Sequence, residues 1–292
     1  MILQETYTLS NGVQIPKLGL GTWRIDDDAV GQVVRAAIDA GYRHIDTAQA
    51  YENERGVGEA VRASGVARDE LFVTTKLVAE AKSYDEAKAR IDGSLTTLGF
   101  DHIDLMLIHS PQPWAEFRQG ERFDEGNLAA WRAMEEAHKA GKLRAIGVSN
   151  FERADLDNLT ENGSVAPMVN QVLAHVGNTP FDLIDYSRDK GMLVEAYSPV
   201  GHGAILDHPE LRRIADRYDV GVAQLGIRYC LQLGLLPLPK SSNPQHLRSN
   251  AAVDFVISDD DMATLKAIDA SDNYGEASAF PVFGKKRQTG EA

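Results

Sequence analysis

Short apolar runs recur along the chain at 18–21, 43–46, 71–76, 103–109, 144–148, 168–171, 192–197 and 235–239. Each is four to seven residues long and is bounded by turn-forming or polar residues, the pattern of a buried strand. The stretches between them read as helices at 29–40, 52–64, 84–98, 127–140, 152–161, 182–190, 209–218 and 222–233. Gly41, Gly99, Gly141 and Gly191 stand where left-handed helix caps are expected. The strands step by about 31 residues, close to the ~30 of one βαβ unit. Ahead of them, TYTL and VQIP flank Asn11-Gly12, the strongest short-range hairpin signal, so a β-hairpin is expected over 5–16.

Eight βα steps predict an α/β fold of the (β/α)8 barrel type. A doubly wound sheet with a dinucleotide site would carry G-x-G-x-x-G after its first strand. Here the run LGLGTWR at 18–24 lacks the third glycine, and so does Gly201-His202-Gly203. There is no Walker loop, no G-x-S-x-G and no H-E-x-x-H. Composition stays even until about residue 272, after which Gly, Lys and small polar residues dominate. The expectation is one barrel domain over 1–292 with a C-terminal tail or loop at 272–292.

Composition narrows the partners. With 43% hydrophobic and 25% charged residues the chain can bury a sizeable core. It has 30 Lys+Arg against 43 Asp+Glu, a net charge of -13, which argues against general affinity for nucleic acid or an anionic membrane. A single cysteine, Cys230, excludes an internal disulfide and any multi-cysteine metal site, and its apolar surroundings make it core filler. The first ten residues lack a signal-peptide pattern, and no apolar run approaches the ~18 residues of a membrane span. A cytoplasmic monomer acting on a small molecule without metal is the expectation.

In a barrel of this kind, ligand sites lie where strands end. Asp46 ends the second run, Lys76 the third and His109 the fourth, and Tyr51 follows Asp46 in the next loop. Separately these could be a helix cap, a snorkelling lysine, a core histidine and a packed aromatic. Together they make chemical sense. A phenol with an ordinary pKa near 10 needs a nearby cation to serve as an acid at neutral pH. Lys76 can supply the charge, Asp46 can offset the cost of burying it, and His109 can orient an oxygen. The set is suited to protonating a carbonyl oxygen as it becomes an alkoxide. At the other end of the chain, Asn243-Pro244 reads as a helix start, so Lys240, Ser241 and Asn243 form a local anion site.

Five ordered motifs then carry a resemblance: GYRHIDTAQAYENE at 41–54, LFVTTK at 71–76, IDLMLIH at 103–109, GKLRAIGVSNF at 141–151 and PKSSN at 239–243. Spread over roughly 5–270, they resemble the aldo-keto reductase family, specifically its bacterial carbonyl reductases similar to diketogluconate reductase. The resemblance implies a metal-free barrel that interconverts carbonyls and alcohols with NADPH, NADH also being accepted. It assigns catalysis to Asp46, Tyr51, Lys76 and His109. It matches Ser149, Asn150 and Gln171 to residues that hydrogen-bond the nicotinamide carboxamide and Tyr197 to the aromatic that stacks on the ring. Gly21, Thr22, Ser198, Lys240, Ser241, Asn243, His246 and Asn250 follow as further cofactor positions, and Trp23, Ser110 and Trp114 as the substrate pocket.

Three positions depart from the family pattern. Ser110 stands where many members carry tryptophan, which implies a wider pocket that Trp114 partly refills. His246 stands where NADPH-preferring members carry arginine, and Ser249 replaces a Glu or Gln near adenine. The run Val172-Leu173-Ala174-His175 lacks the usual acidic and aromatic residues. Two other readings share the fold: a regulatory subunit that binds cofactor with little turnover, and a cofactor-free isomerase or lyase. The nicotinamide and phosphate motifs disfavour the second. The absence of a long N-terminal extension or an obvious apolar surface segment disfavours the first.

Overall fold

All eight apolar runs become strands, and parallel pairing links them in chain order. The computed structural model describes residues 1–269 and 273–283. An antiparallel hairpin of β1 (Thr6–Thr8) and β2 (Gln14–Pro16) precedes the barrel strands. These are β3 (Leu20–Gly21), β4 (His44–Asp46), β5 (Phe72–Leu77), β6 (Ile103–Ile108), β7 (Leu143–Ser149), β8 (Val169–Leu173), β9 (Leu193–Tyr197) and β10 (Leu236–Leu238). The Gly19 and Gly21 amides donate to the carbonyls of Pro237 and Pro239 at 3.2 and 3.1 Å, bringing the last strand back to the first. The expected (β/α)8 barrel is the fold. Both faces of its strands are covered, so every residue of β5 and β6 is buried.

Ten helices lie among the described residues: α1 (Asp27–Asp39), α2 (Glu54–Arg62), α3 (Tyr84–Leu98), α4 (Asp124–Lys139), α5 (Arg153–Asn162), α6 (Phe181–Asp189), α7 (Pro209–Arg217), α8 (Val222–Gln232), α9 (Pro244–Ala251) and α10 (Asp259–Lys266). The third shows how local sequence sets them. Ser83 caps α3 by accepting from the Glu86 amide, Asp85 and Glu86 sit at its positive end, and Gly99 ends it at φ 67°. Its buried residues Ala87, Ile91, Ser94 and Leu98 fall on one helical face. The predicted helix boundaries hold within three residues. Only the start of α9 was legible, and α10 was not, since its eight residues open on three aspartates and carry a short apolar stripe.

The hairpin closes the end of the barrel opposite the strand C-termini. The Asn11 amide donates to the Arg144 carbonyl and the Tyr7 hydroxyl to that of Leu235, both at strand starts. Cys230 is buried within an apolar cluster, as expected of core filler. Of the tail expected at 272–292, residues 273–283 form two tight turns at Gly275–Ala279 and Pro281–Phe283. Positions 272 and 284–292 lie outside the described residues. No helix among the described residues is long and apolar enough to cross a membrane.

Two glycines provide a test of the helix layer. A Cβ on Gly58 of α2 would stand 2.2 Å from the Leu98 carbonyl oxygen at the end of α3, whereas one on Gly93 would meet nothing within 4 Å. Gly58→Ala should cost roughly 1–3 kcal/mol by overpacking. Gly93→Ala should add roughly 0.5–1 kcal/mol by removing glycine's entropic penalty. Thermal unfolding should therefore shift in opposite directions, and equal shifts would contradict the close approach of α2 to α3.

Candidate active site

The C-terminal ends of the barrel strands surround a cleft of about 1010 Å³. At its floor the Lys76 ammonium is fully buried. It donates to Asp46 Oδ1 at 2.6 Å, to the Thr47 carbonyl at 2.8 Å and to the Tyr51 hydroxyl at 3.3 Å. Asp46 ends β4 and Lys76 is the last residue but one of β5, so pairing of these neighbouring strands brings the two together. Tyr51 comes from the single turn that follows β4. Burial opposes the Lys76 charge, yet Asp46 and Tyr51 outweigh it and hold its pKa above the ordinary lysine value. For Tyr51 the balance differs from expectation. Lys76 does pull the phenol down, but burial pushes it up more strongly and Asp46 adds to the rise.

His109 follows β6, with its ring centroid 5.6 Å from that of Tyr51 and 5.1 Å from that of Trp114. Burial and then the Lys76 charge push its pKa well below the ordinary imidazole value, so the ring is neutral. Its Nδ1 is buried with no hydrogen-bond partner. Beside it, Asn150 adopts φ 63° and donates to the His109 carbonyl and to Ser149 Oγ, both at 3.0 Å. The Tyr197 hydroxyl donates to Asn150 Oδ1 at 2.7 Å, and Gln171 completes this wall. Arg24, Asn150, Ser198 and His202 all line the cleft with positive φ. Such strain persists only where surrounding structure enforces it.

The cleft continues past Gly21 and Thr22 toward Lys240, Ser241, His246, Ser249 and Asn250. Asn243 caps α9 by accepting from the Gln245 amide at 2.9 Å. Trp23 stands at the mouth, its ring 4.8 Å from Phe280 and 5.8 Å from Phe283 of the C-terminal segment. Among the described residues no group of three His, Cys, Asp or Glu side chains could hold a metal ion.

Comparison with known proteins decides what kind of barrel this is. The model of the Aldo/keto reductase family matches residues 17–270. The chain belongs to the aldo/keto reductase family. It is 39% identical over 275 residues to glyoxal reductase of Bacillus subtilis, covering 94% of this chain and 96% of the relative. An aldo/keto reductase structure from Brucella melitensis superposes with TM-score 0.85 at 36% identity, over 91% of this chain and 98% of the other. A Bombyx mori aldo-keto reductase solved in complex with NADP gives TM-score 0.84 at 34% identity, over 94% and 96%.

Most of the residues singled out from the sequence of this aldo/keto reductase thus line one cleft; Lys76 lies buried behind that lining, bonded to Asp46 and Tyr51, and two others stand apart. Ser110 is buried and does not line it: its carbonyl accepts from Lys82 Nζ at 2.9 Å and its Oγ from the Gln112 amide. Consecutive residues at a strand end point opposite ways, so His109 facing the cleft turns Ser110 from it. Asn243 spends its side chain on the helix cap and also does not line it. Trp114 does line it, against His109.

Sequence reasoning missed two groups. Glu195 lies buried beside Gln171, although a carboxylate two residues before Tyr197, on the same strand face, was a visible signal. The unexplained run 172–175 also acquires a reason. His175 is buried, its Nδ1 faces the Val176 carbonyl and must carry the proton, and its Nε2 therefore accepts from the Tyr274 hydroxyl at 3.0 Å. Asn178 Nδ2 donates to the same hydroxyl at 2.6 Å. The loop after β8 thereby anchors the segment that carries Phe280 and Phe283, a contact across 99 residues that no local pattern encodes.

The neutrality of His109 is measurable. Imidazole 15N shifts of His109 should stay those of the neutral ring from about pH 8 to about pH 6, across the ordinary histidine transition near 6.5. A His109 titration in that interval would contradict the burial and the Lys76 proximity described.

Proposed function

We propose that the chain is a one-domain NADPH-dependent reductase of aldehydes and ketones, with Tyr51 as the proton donor. The observation that carries the reading is the buried Lys76 ammonium, bridging Asp46, the Thr47 carbonyl and the Tyr51 hydroxyl on the floor of the cleft. The rest of the cleft fits a nicotinamide dinucleotide. One end offers hydroxyl and amide groups on Ser149, Asn150 and Gln171 beside the Tyr197 ring, suited to a carboxamide and an aromatic ring. Gly21, Thr22 and Ser198 line the way to the other end, where Lys240, Ser241 and His246 meet the start of α9, suited to a phosphate. When bound, the reduced nicotinamide supplies the two reducing electrons.

The chain's own groups handle the proton and the geometry. A carbonyl oxygen seated between Tyr51 and His109 accepts a hydrogen bond from the neutral imidazole and takes its proton from Tyr51. The phenolate left behind faces the Lys76 ammonium 3.3 Å away, which stabilises it without a change of position. Asp46 and the Thr47 carbonyl keep that ammonium in place, so its charge acts on the phenol rather than on solvent. Trp23, Trp114, Phe280 and Phe283 wall the pocket with apolar surface that excludes water and takes up the substrate's carbon skeleton. Short aldehydes and dicarbonyls belong in the first substrate panel, because the Bacillus subtilis relative is named a glyoxal reductase.

Oxidation of NADPH in the presence of such a panel tests the reading directly. Tyr51→Phe should lower kcat at least 100-fold while NADPH affinity, read by tryptophan fluorescence quenching, stays within about twofold, since general acid catalysis contributes roughly 10²–10⁴. An active Tyr51→Phe enzyme would remove Tyr51 from the mechanism. A wild type that binds NADPH but reduces no carbonyl would favour the regulatory alternative.

His246 sets the expected cofactor balance. A hydrogen bond to a charged group is worth ~1.5–3 kcal/mol. Replacing the imidazole by a permanently charged, five-donor guanidinium should therefore raise the NADPH over NADH ratio of kcat/KM by roughly one to two orders of magnitude. Steady-state kinetics with both cofactors in wild type and His246→Arg reads this. An unchanged ratio would mean that the selection rests on Lys240 and the α9 terminus.

A further inference from the structure

Gln171 on β8 is the register partner of Glu195 on the adjacent β9. Its Nε2 donates to Glu195 Oε2 at 2.7 Å and, across the barrel, to Asp46 Oδ2 at 2.9 Å. A primary amide has two N–H bonds to give, and both are spent on carboxyl groups. Turning the amide over would set its oxygen against the Asp46 carboxylate and withdraw both N–H groups from their acceptors, so its orientation is fixed by its surroundings. Asp46 alone would not fix it, because a single acceptor leaves the second N–H free to turn toward the cleft.

Glu195 has no other visible employment. It is fully buried, forms no ion pair among the described residues, and its Oε1 has no hydrogen-bond partner. Burial, with the Asp46 charge adding, pushes its pKa up to about 8, so at neutral pH it is mostly protonated and does not bring a second full negative charge to the amide. A buried polar group kept at such cost, with one protein contact, calls for a reason. That contact is the second donor of Gln171.

We propose that Glu195 is a positioning residue: it locks the Gln171 amide so that its carbonyl oxygen is the atom presented to the cleft, which then recognises a primary carboxamide through its N–H. The inference rests on the cofactor reading given above. It assigns to Glu195, which touches neither substrate nor cofactor, the selection between a carboxamide and a look-alike that cannot donate.

The probe is NADP+ against its 3-acetylpyridine analogue, in which a methyl group replaces the carboxamide nitrogen. Equilibrium binding of each, read by quenching of tryptophan fluorescence, requires no turnover. The wild type should bind NADP+ roughly three- to tenfold tighter than the analogue, the value of one hydrogen bond. Glu195→Met, which frees the second N–H of Gln171, should bring the two affinities to within about twofold. Glu195→Gln, which keeps an acceptor at the same reach, should retain the preference. Gln171→Met removes the acceptor itself and should also abolish it, a test that stands even if Glu195→Met does not fold. A preference unchanged in Glu195→Met, lost equally in Glu195→Gln, or retained in Gln171→Met overturns the assignment while leaving cofactor binding intact. Binding of neither dinucleotide to the wild type would instead overturn the cofactor reading and this inference with it.

Discussion

An ammonium group sealed from water needs its hydrogen bonds and its counter-charge supplied by the protein, and the arrangement around Lys76 follows from that need. Three donors are matched by a carboxylate, a backbone carbonyl and a phenol, each within 3.3 Å. Removing one partner of such a pair leaves an uncompensated buried charge, which is why Asp46 and Lys76 can only persist together. The partners must come from neighbouring strand ends that cannot shift relative to one another. Parallel pairing of β4 with β5 provides this, so the barrel's rigidity is a condition of the site's chemistry.

The same charge organises the groups around it. It helps keep the His109 imidazole neutral and pulls against the burial that raises Tyr51. Asp46 turns one oxygen to Lys76 and the other to Gln171, and Gln171 passes the chain of contacts on to Glu195. Four barrel strands are thus joined across the floor by polar contacts that each use up a donor. Asp46, Lys76, Tyr51, Gln171 and Glu195 belong to one network, and a change at one member is felt at the others.

The mouth is built differently. Its apolar wall comes from residues far apart in sequence: Trp23 after β3, Trp114 after β6, and Phe280 and Phe283 from the C-terminal segment. Trp23 meets Phe280 and Phe283 through ring contacts, while Trp114 packs against His109 and Phe117; such contacts define a surface without fixing a single geometry as hydrogen bonds do. Polar anchors of the C-terminal part include the buried His175, whose tautomer is set by the Val176 carbonyl, and Asn178, both bonded to Tyr274. The floor is largely strand-borne and closely specified, while the walls of the mouth lie on loops, the usual division of labour in a barrel.

Much of this was legible in the chain by itself. Repetition of buried strands about every 31 residues determined the barrel, because parallel strands covered on both sides leave continuous apolar runs. Asp46, Lys76 and His109 were found because charged residues closing apolar strands are conspicuous, and Tyr51 through its place in the adjoining loop. The α9 start was readable because capping is local. Tertiary structure alone decided the rest. Whether Lys76 or burial controls the Tyr51 phenol depends on how much water is excluded, a sum over many neighbours. That Ser110 turns from the cleft depends on the direction His109 takes at the strand end. The link from Gln171 to Glu195 follows from register between two strands, and that from His175 to Tyr274 from a segment folding back across the barrel mouth. Sequence carries periodicity and local capping directly, whereas burial, register and long-range contact exist only once the chain has closed on itself.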